Sequence, residues 1–403
     1  MRRAAIVSPI RTGVGKYLGG LAAIPAGELG AIAIRALMER TKIDPERIDD
    51  VVFSQGYGNG EAPAIGRWAA MAAGLPVAVP GYQLDRRCGS GLQAVIDAAM
   101  MVMTDAADVV IAGGCESMSQ VEHYTIKGRT GVRGGSIELY DRLARGRVMS
   151  QPIERFGVIS GMIETANNVA SDFGITREEC DEYAARSHQR AAAAWRDGKF
   201  ADELIEVLVP QRRGEPKRFA EDEGIRADAT PESLAGLRAI EKGGVVTAGN
   251  ASQQNDAAAA CLVVAEDKLQ ELNLTPIGWF HSWAAAGCEP SRMGIGPVPA
   301  VERLFARGNI GWNEIDLVEL NEAFAPQVLG VLRGWNWAKD DSRMDMLNVN
   351  GSGISLGHPI GATGGRILAT MLHELQRRQG RYALETMCIG GGQGLAAIFE
   401  RAA

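Results

Sequence analysis

Apolar residues recur at helical spacing over positions 27–39, and a short polar turn after Ile43 leads into the apolar run Val51-Val52-Phe53. The same order returns later in the chain. Helical spacing over 300–307 is followed by Ile310, a polar turn, Ile315-Asp316 and then Leu317-Val318-Glu319-Leu320. The parallel extends further. Cys88-Gly89-Ser90-Gly91 opens a helical run to Met103 and then the apolar stretch 109–114, while His358-Pro359-Ile360-Gly361 opens a run to Leu375 and then 384–389. Helices alternating with short buried strands predict an α/β fold of βαβ units with mixed sheets covered by helices. Its repetition predicts two similar halves about a pseudo-twofold. The helix starts that carry Cys88 and His358 would then be symmetry-related and meet at the shared interface.

Between the halves the texture changes. Residues 127–147 are polar and rich in Gly and Arg, 177–195 are helical with Thr176 as N-cap, and 211–226 form a charged loop. We expect residues 1–120 and 250–272 to form one half, 273–403 the other, and 121–249 an inserted segment covering a site. A chain of 403 residues exceeds one ordinary core. Its net charge of −7 argues against nucleic-acid binding. The basic run from Arg212 to Arg218 reads more readily as a solvated loop than as an anion site. Six dispersed cysteines without metal-type pairing read as reduced thiols in a cytoplasmic protein. Pro9 and Arg11 cut short the apolar N-terminal run, and no stretch approaches the ~20 apolar residues of a membrane span.

Three places could carry chemistry. Cys88 follows a probable strand at 82–84 and precedes a helix, where the macrodipole and free N–H groups would lower its pKa. From position alone, a buried structural cysteine and a nucleophile are equally consistent. His358 follows the glycine-rich segment 350–357 and suits acid–base work or carbonyl polarisation. The duplication sets it opposite Cys88, which favours a functional role over a structural one. Cys388 ends the last buried strand pattern, and the glycines 390–392 after it could turn N–H groups inward as anion donors. Asn321 stands at the end of a Val-rich strand, a usual place for ligand groups, though read alone it is a helix N-cap.

With these segments assembled, the sequence resembles the thiolase family over essentially its whole length. The motifs that carry the resemblance are Cys88-Gly-Ser-Gly-Leu-Gln-Ala, Ala112-Gly-Gly-Cys-Glu-Ser-Met-Ser, Val246-Thr-Ala-Gly-Asn-Ala-Ser, Met293-Gly-Ile-Gly-Pro, Asn321-Glu-Ala-Phe, Gly357-His-Pro and Cys388-x-Gly. The resemblance implies a duplicated fold with mixed five-stranded sheets and a ping-pong acyl transfer between coenzyme A thioesters. It implies that Cys88 carries the acyl group and that His358 assists its activation. The N–H groups of Cys88 and Gly390 would form one oxyanion hole. The His358 ring and a water held by Asn321 would form a second, and Cys388 would move the α-proton of acetyl-CoA. Ser252 is similar to a pantetheine contact, and Ala248, Met162, Met293 and Phe324 to the acyl-pocket and tunnel lining. Coenzyme A, acetyl-CoA and 3-ketoacyl-CoA are the implied partners, in fatty-acid metabolism such as β-oxidation. Metal and redox cofactors are not implied, since the thioester supplies the activation. A homodimer or homotetramer is expected.

The sequence departs from the family pattern at several points. Asp85 stands where Asn is usual, Gly161 where short-chain biosynthetic members carry His, and Gln254, Ala257, Asn167 and Ser352 also differ. Gly161 removes a side chain beside Met162, so we expect a roomier, less polar acyl wall that accepts chains longer than acetoacetyl. Cys388-x-Gly disfavours a ketoacyl synthase, which would carry a second histidine. A catalytically reduced acyl-CoA or lipid-binding protein of similar fold is the alternative, and the intact Asn321 motif disfavours it.

Overall fold

The computed structural model describes residues 2–308 and 310–403; Met1 and Asn309 lie outside the described residues. One large mixed sheet dominates. Apart from two-residue strands at Gly15–Lys16 and Leu204–Ile205 on its margins, its strands in chain order are β1 (Ala4–Thr12), β2 (Asp50–Ser54), β3 (Tyr82–Leu84), β4 (Val109–Ser117), β5 (Asn255–Ala265), β6 (Gly278–Gly287), β7 (Ile315–Leu320), β8 (Tyr382–Ile389) and β9 (Gln393–Arg401). Across the sheet they run β7-β8-β9-β6-β1-β5-β4-β2-β3. The helices that position the site are α1 (Ala26–Thr41), α2 (Ser90–Met103), α3 (Arg142–Val148), α4 (Met162–Phe173), α5 (Arg177–Arg196), α6 (Pro297–Arg307) and α7 (Ile360–Arg378).

The duplication is visible strand by strand. In the first half β3, β2 and β4 pair parallel, and β4-β5-β1 antiparallel. In the second half β7 and β8 pair parallel and β8-β9-β6 antiparallel, and a bridge from Val318 to Leu347 stands where β3 stands in the first. The second sheet is therefore four strands and a bridge rather than five full strands. The two sheets are also not separate. Equivalent strands β1 and β6 pair antiparallel at Ala5–Trp279 and Ile6–Gly278, the direction a twofold axis requires.

Both faces of the sheet are covered, which is why its strands read as continuous apolar runs. Along β4, Val109 and Ile111 face the core shared with α1, while Val110 and Ala112 face α2 and α7. In the second half Leu317 and Ala383 face α2 and α7, and Val318 and Leu384 face an outer core with α5 and α6. The α2 and α7 helices thus form a central layer between the halves. They touch backbone to backbone: a Cβ at Gly91 would sit 2.8 Å from the amide nitrogen of Gly364. No residue but glycine fits there.

The inserted segment is tied down by charge. Arg11 on β1 is fully buried, donates to Glu203 at 2.6 Å and bridges both oxygens of Asp222 at 2.7 and 3.0 Å. Asp222 also accepts the Val14 N–H at 2.9 Å, and Glu203 accepts the Thr370 hydroxyl of α7 at 2.8 Å. Thr176 caps α5 with a reciprocal capping box. The basic run is a solvated hairpin, in which exposed Arg218 pairs with Glu206. Removing one partner of a buried pair strands the other charge. Asp222→Ala should therefore lower the unfolding free energy by about 3–5 kcal/mol. Arg218→Ala should lower it by less than about 1 kcal/mol. Urea midpoints of the two variants check the contrast.

Candidate active site

Cys88 occupies the turn Arg87–Gly89 that feeds α2. Arg87 adopts left-handed backbone, with φ 47°, and the Asp85 carboxylate accepts its N–H at 2.7 Å. Asp85 thus steadies the bend that presents the thiol. The residue is 8% exposed, and the backbone N–H groups of Gly390 and of Cys88 itself lie near enough to favour its thiolate. The expected lowering of its pKa is not what the site produces. Burial raises it, outweighing those two N–H groups and Arg87. A helix start stabilises an anion by only about 0.3–1 kcal/mol at exposed sites, less than the cost of desolvating a buried thiolate. The resting thiol is protonated and needs a base.

His358 sits in the bend before α7 and is 6% exposed. Its backbone N–H donates to Asn255 Oδ1 at 2.8 Å. Its Nδ1 lies 2.7 Å from the Thr363 hydroxyl, with the Asn321 amide nitrogen 3.5 Å away. Nε2 is buried without a protein partner. Burial lowers the imidazole pKa to about 3, and Arg366 and Arg147 add to the effect. The ring is neutral.

Cys388 lies within β8, one residue before its end, and β9 follows the glycine turn, so this strand is not the chain's last. It is fully buried in an apolar cluster with Phe324, Met293 and Ala323, against which Met162 packs. Burial pushes its pKa well up, and the neighbouring thiols of Cys88 and Cys288 add to the rise. Asn321 directly follows β7 rather than capping a helix; the next helix begins at Ala325 with Phe324 before it. The loop is locked through Glu322, which accepts from Tyr183, Ser187, Asn348 and the Ile354 N–H at 2.9, 2.6, 3.0 and 3.2 Å.

Cys88, His358 and Gly390 line one cavity of about 990 Å³ together with Met162, Ala248, Ser252 and Phe324. Cys388, Asn321 and Met293 are not among its lining residues and lie behind the wall. Residues 139–150, 160–163 and several between 226 and 254 supply much of the lining. The cations Lys16, Arg87, Arg145, Arg147 and Arg226 face it against only Asp141 and Glu241. Asn167 ties α4 to the last part of the insertion, donating to Glu241 at 2.8 Å and accepting from Val245 at 3.0 Å. Gly161, at φ 154°, leaves open space, but the nearest atom to a Cβ there is that of Arg147 at 4.0 Å. What borders the space is the aliphatic base of Arg147.

Two residues were missed in the sequence. Glu116 is fully buried and accepts the N–H groups of Gly56, Tyr57 and Gly361 at 2.9, 3.2 and 2.9 Å. It anchors the first turn of α7 beside the site. Burial raises its pKa to about 7 against those three N–H groups. Its signal was present inside the Ala112–Ser119 motif. Thr363, one turn after His358, had no signal beyond its spacing.

Comparison with known proteins agrees with this geometry. The thiolase N-terminal domain model matches residues 4–267, and the thiolase C-terminal domain model residues 274–401. An acetyl-CoA acetyltransferase of Chromobacterium violaceum is 47% identical over 98% of this chain and 99% of its own. A β-ketoadipyl-CoA thiolase of Acinetobacter baylyi is 43% identical over 100% of both. The crystal structure of the Bacillus anthracis acetyl-CoA acetyltransferase superposes with a TM-score of 0.94 at 37% identity, covering 100% of this chain and 99% of that one. Two family models that together span nearly the whole sequence, and full-length relatives above 40% identity, establish that the chain belongs to the thiolase family.

Proposed function

We propose that the chain is an acyl-CoA C-acyltransferase that cleaves 3-ketoacyl-CoA with coenzyme A, or runs the reverse Claisen condensation, through an acyl-Cys88 thioester. In cleavage His358 Nε2 takes the Cys88 proton and the thiolate attacks the C3 carbonyl. The oxyanion is held by the Cys88 and Gly390 N–H groups, and the meeting of Cys88, His358 and Gly390 on one cavity carries this reading. The C2–C3 bond then breaks, and its electron pair passes into the enolate of acetyl-CoA. Cys388 protonates that carbon, and the His358 ring with Asn321 polarises the thioester oxygen. Coenzyme A then gives its thiol proton to the Cys388 thiolate and takes the acyl group, and His358 returns its proton to the departing Cys88 thiolate.

The Thr363 hydroxyl suits both roles of His358. When it accepts from Nδ1–H, Nε2 offers a lone pair; when it donates to Nδ1, Nε2–H becomes a donor. The protonated resting thiols of Cys88 and Cys388 fit groups that must exchange protons rather than stand as anions. The excess of cations around the cavity suits an anionic substrate such as a coenzyme A thioester. A binding-only role is not favoured, because the reactive set is complete. Cofactors are not part of this reading. We assign the protein to the cytoplasm; among the described residues no helix is long and apolar enough to cross a membrane. A homo-oligomer accords with exposed Ile126, Val132, Ile137 and Leu139 on one arm of the insertion.

The two thiols should separate by mutation. Cys88→Ala should abolish acetyl-enzyme formation from acetyl-CoA, read by intact mass. Cys388→Ala should still be acetylated but fail to exchange solvent deuterium into the acetyl methyl group. Normal exchange in that variant would assign the proton transfer to another base.

The depressed His358 pKa also sets a pH dependence. The imidazole stays a base until pH falls towards about 3. Acetylation of Cys88 should therefore change less than about twofold between about pH 8 and about pH 5. A histidine titrating at its ordinary 6.5 would lose roughly 30-fold over the same range. Rapid-quench acetylation rates decide between them.

A further inference from the structure

A second cavity lies between α5 and the helix Ala325–Gly334, away from the reacting groups. It holds about 230 Å³ and shares no lining residue with the larger one. Leu329, Leu332, Trp337 and Met344 form its apolar wall, with Tyr183 beside them. Five charged side chains also line it, and four of these are matched: Arg333 pairs with Glu179, and Lys339 with Glu182. Arg186 is the fifth. It is half-buried and has neither an ion pair nor a hydrogen bond among the described residues. Its guanidinium carbon stands 4.9 Å from the centre of the Tyr183 ring, and one of its nitrogens is enclosed without an acceptor. Trp337 Nε1 is enclosed without one as well. Glu182, one helical turn before Arg186, is engaged by Lys339 instead. Arg190, whose guanidinium feels Arg186, is a like charge. A half-buried cation with a like charge nearby and no counter-ion is costly, and a bound anion relieves that cost. The wall is also preformed. Glu322 holds the Tyr183 hydroxyl at 2.9 Å and Glu179 holds Arg333, so a ligand enters with little reorganisation.

We propose that this cavity is a second ligand site, for a small monocarboxylate carrying one ring or a short branched chain. Arg186 is its counter-ion, and the Leu332–Trp337 wall takes its apolar body. The volume falls below the ~300–1,000 Å³ of sites for larger organic ligands, so a coenzyme is excluded. Because the two cavities have no wall in common, the carboxylate and a coenzyme A thioester bind together and not in competition. The site does not rest on the acyl-transfer chemistry.

The test uses benzoate as the probe, benzamide as its uncharged isostere, and acetate as the same charge without a ring. Each is titrated by ligand-observed NMR with coenzyme A present, to cover the cations of the larger cavity. Benzoate should bind about 10-fold or more tighter than either of the others, and raising coenzyme A should not displace it. Arg186→Gln should weaken benzoate by about 10-fold or more while leaving the urea midpoint unchanged, and Arg186→Lys should keep part of the affinity. Absence of benzoate binding at about 10 mM would overturn the proposal. So would equal affinity for the three probes, loss of benzoate to added coenzyme A, or a benzoate affinity that Arg186→Gln leaves unchanged.

Discussion

The site depends on two helices that approach too closely for any side chain. The α2 and α7 helices begin in equivalent places of the two halves, and each carries its reactive residue just before its first turn. Gly91 against Gly364 lets their backbones touch, so the two helix starts converge instead of standing a side chain apart. Glu116 and Ser54 then hold the start of α7 from the first half, through the Gly361 N–H at 2.9 Å and its carbonyl at 2.6 Å. Cys88 and His358 are brought together by backbone packing. Neither depends on a long, mobile side chain for its position.

Burial then decides the protonation states. A helix start, two N–H groups and a nearby arginine all favour a Cys88 thiolate, yet desolvation outweighs them. The same cost keeps His358 neutral and Cys388 a thiol. The three groups are uncharged at rest and can pass protons without creating a stable ion pair that would trap one of them. Backbone donors fixed by the fold need no reorganisation when negative charge develops on a bound carbonyl.

The inserted segment decides what may enter. It is fastened by a buried Arg11–Glu203–Asp222 triad on one side and by Asn167 on the other. Fastening of this kind orders a polar, glycine-rich stretch that has little apolar surface of its own, and it carries Arg145 and Arg147 to the cavity. Cys88 and His358 thus lie on the rigid duplicated core, while much of the cavity lining lies on the segment between its halves.

Much of this was legible in the residues alone. The repeated order of helix, Ile-Asp and Val-rich strand predicted the duplication, because each half must bury the same faces. The glycine-flanked Cys88 and His358, opposite each other in that repeat, located the site before any contact was known. Glu116 was hidden because it acts through neighbours distant in sequence, 245 positions away in the case of Gly361. The rise of the Cys88 pKa was also invisible, since a helix start is local but desolvation is the sum of everything packed around it. Likewise Gly161 announced a missing side chain, and only the fold could say that an arginine borders the gap. The sequence by itself determined the fold and the reactive groups, which follow from local pattern and residue chemistry. The tertiary structure decided their charge states and which residues line the cavity beside them, which follow from burial and long-range contact.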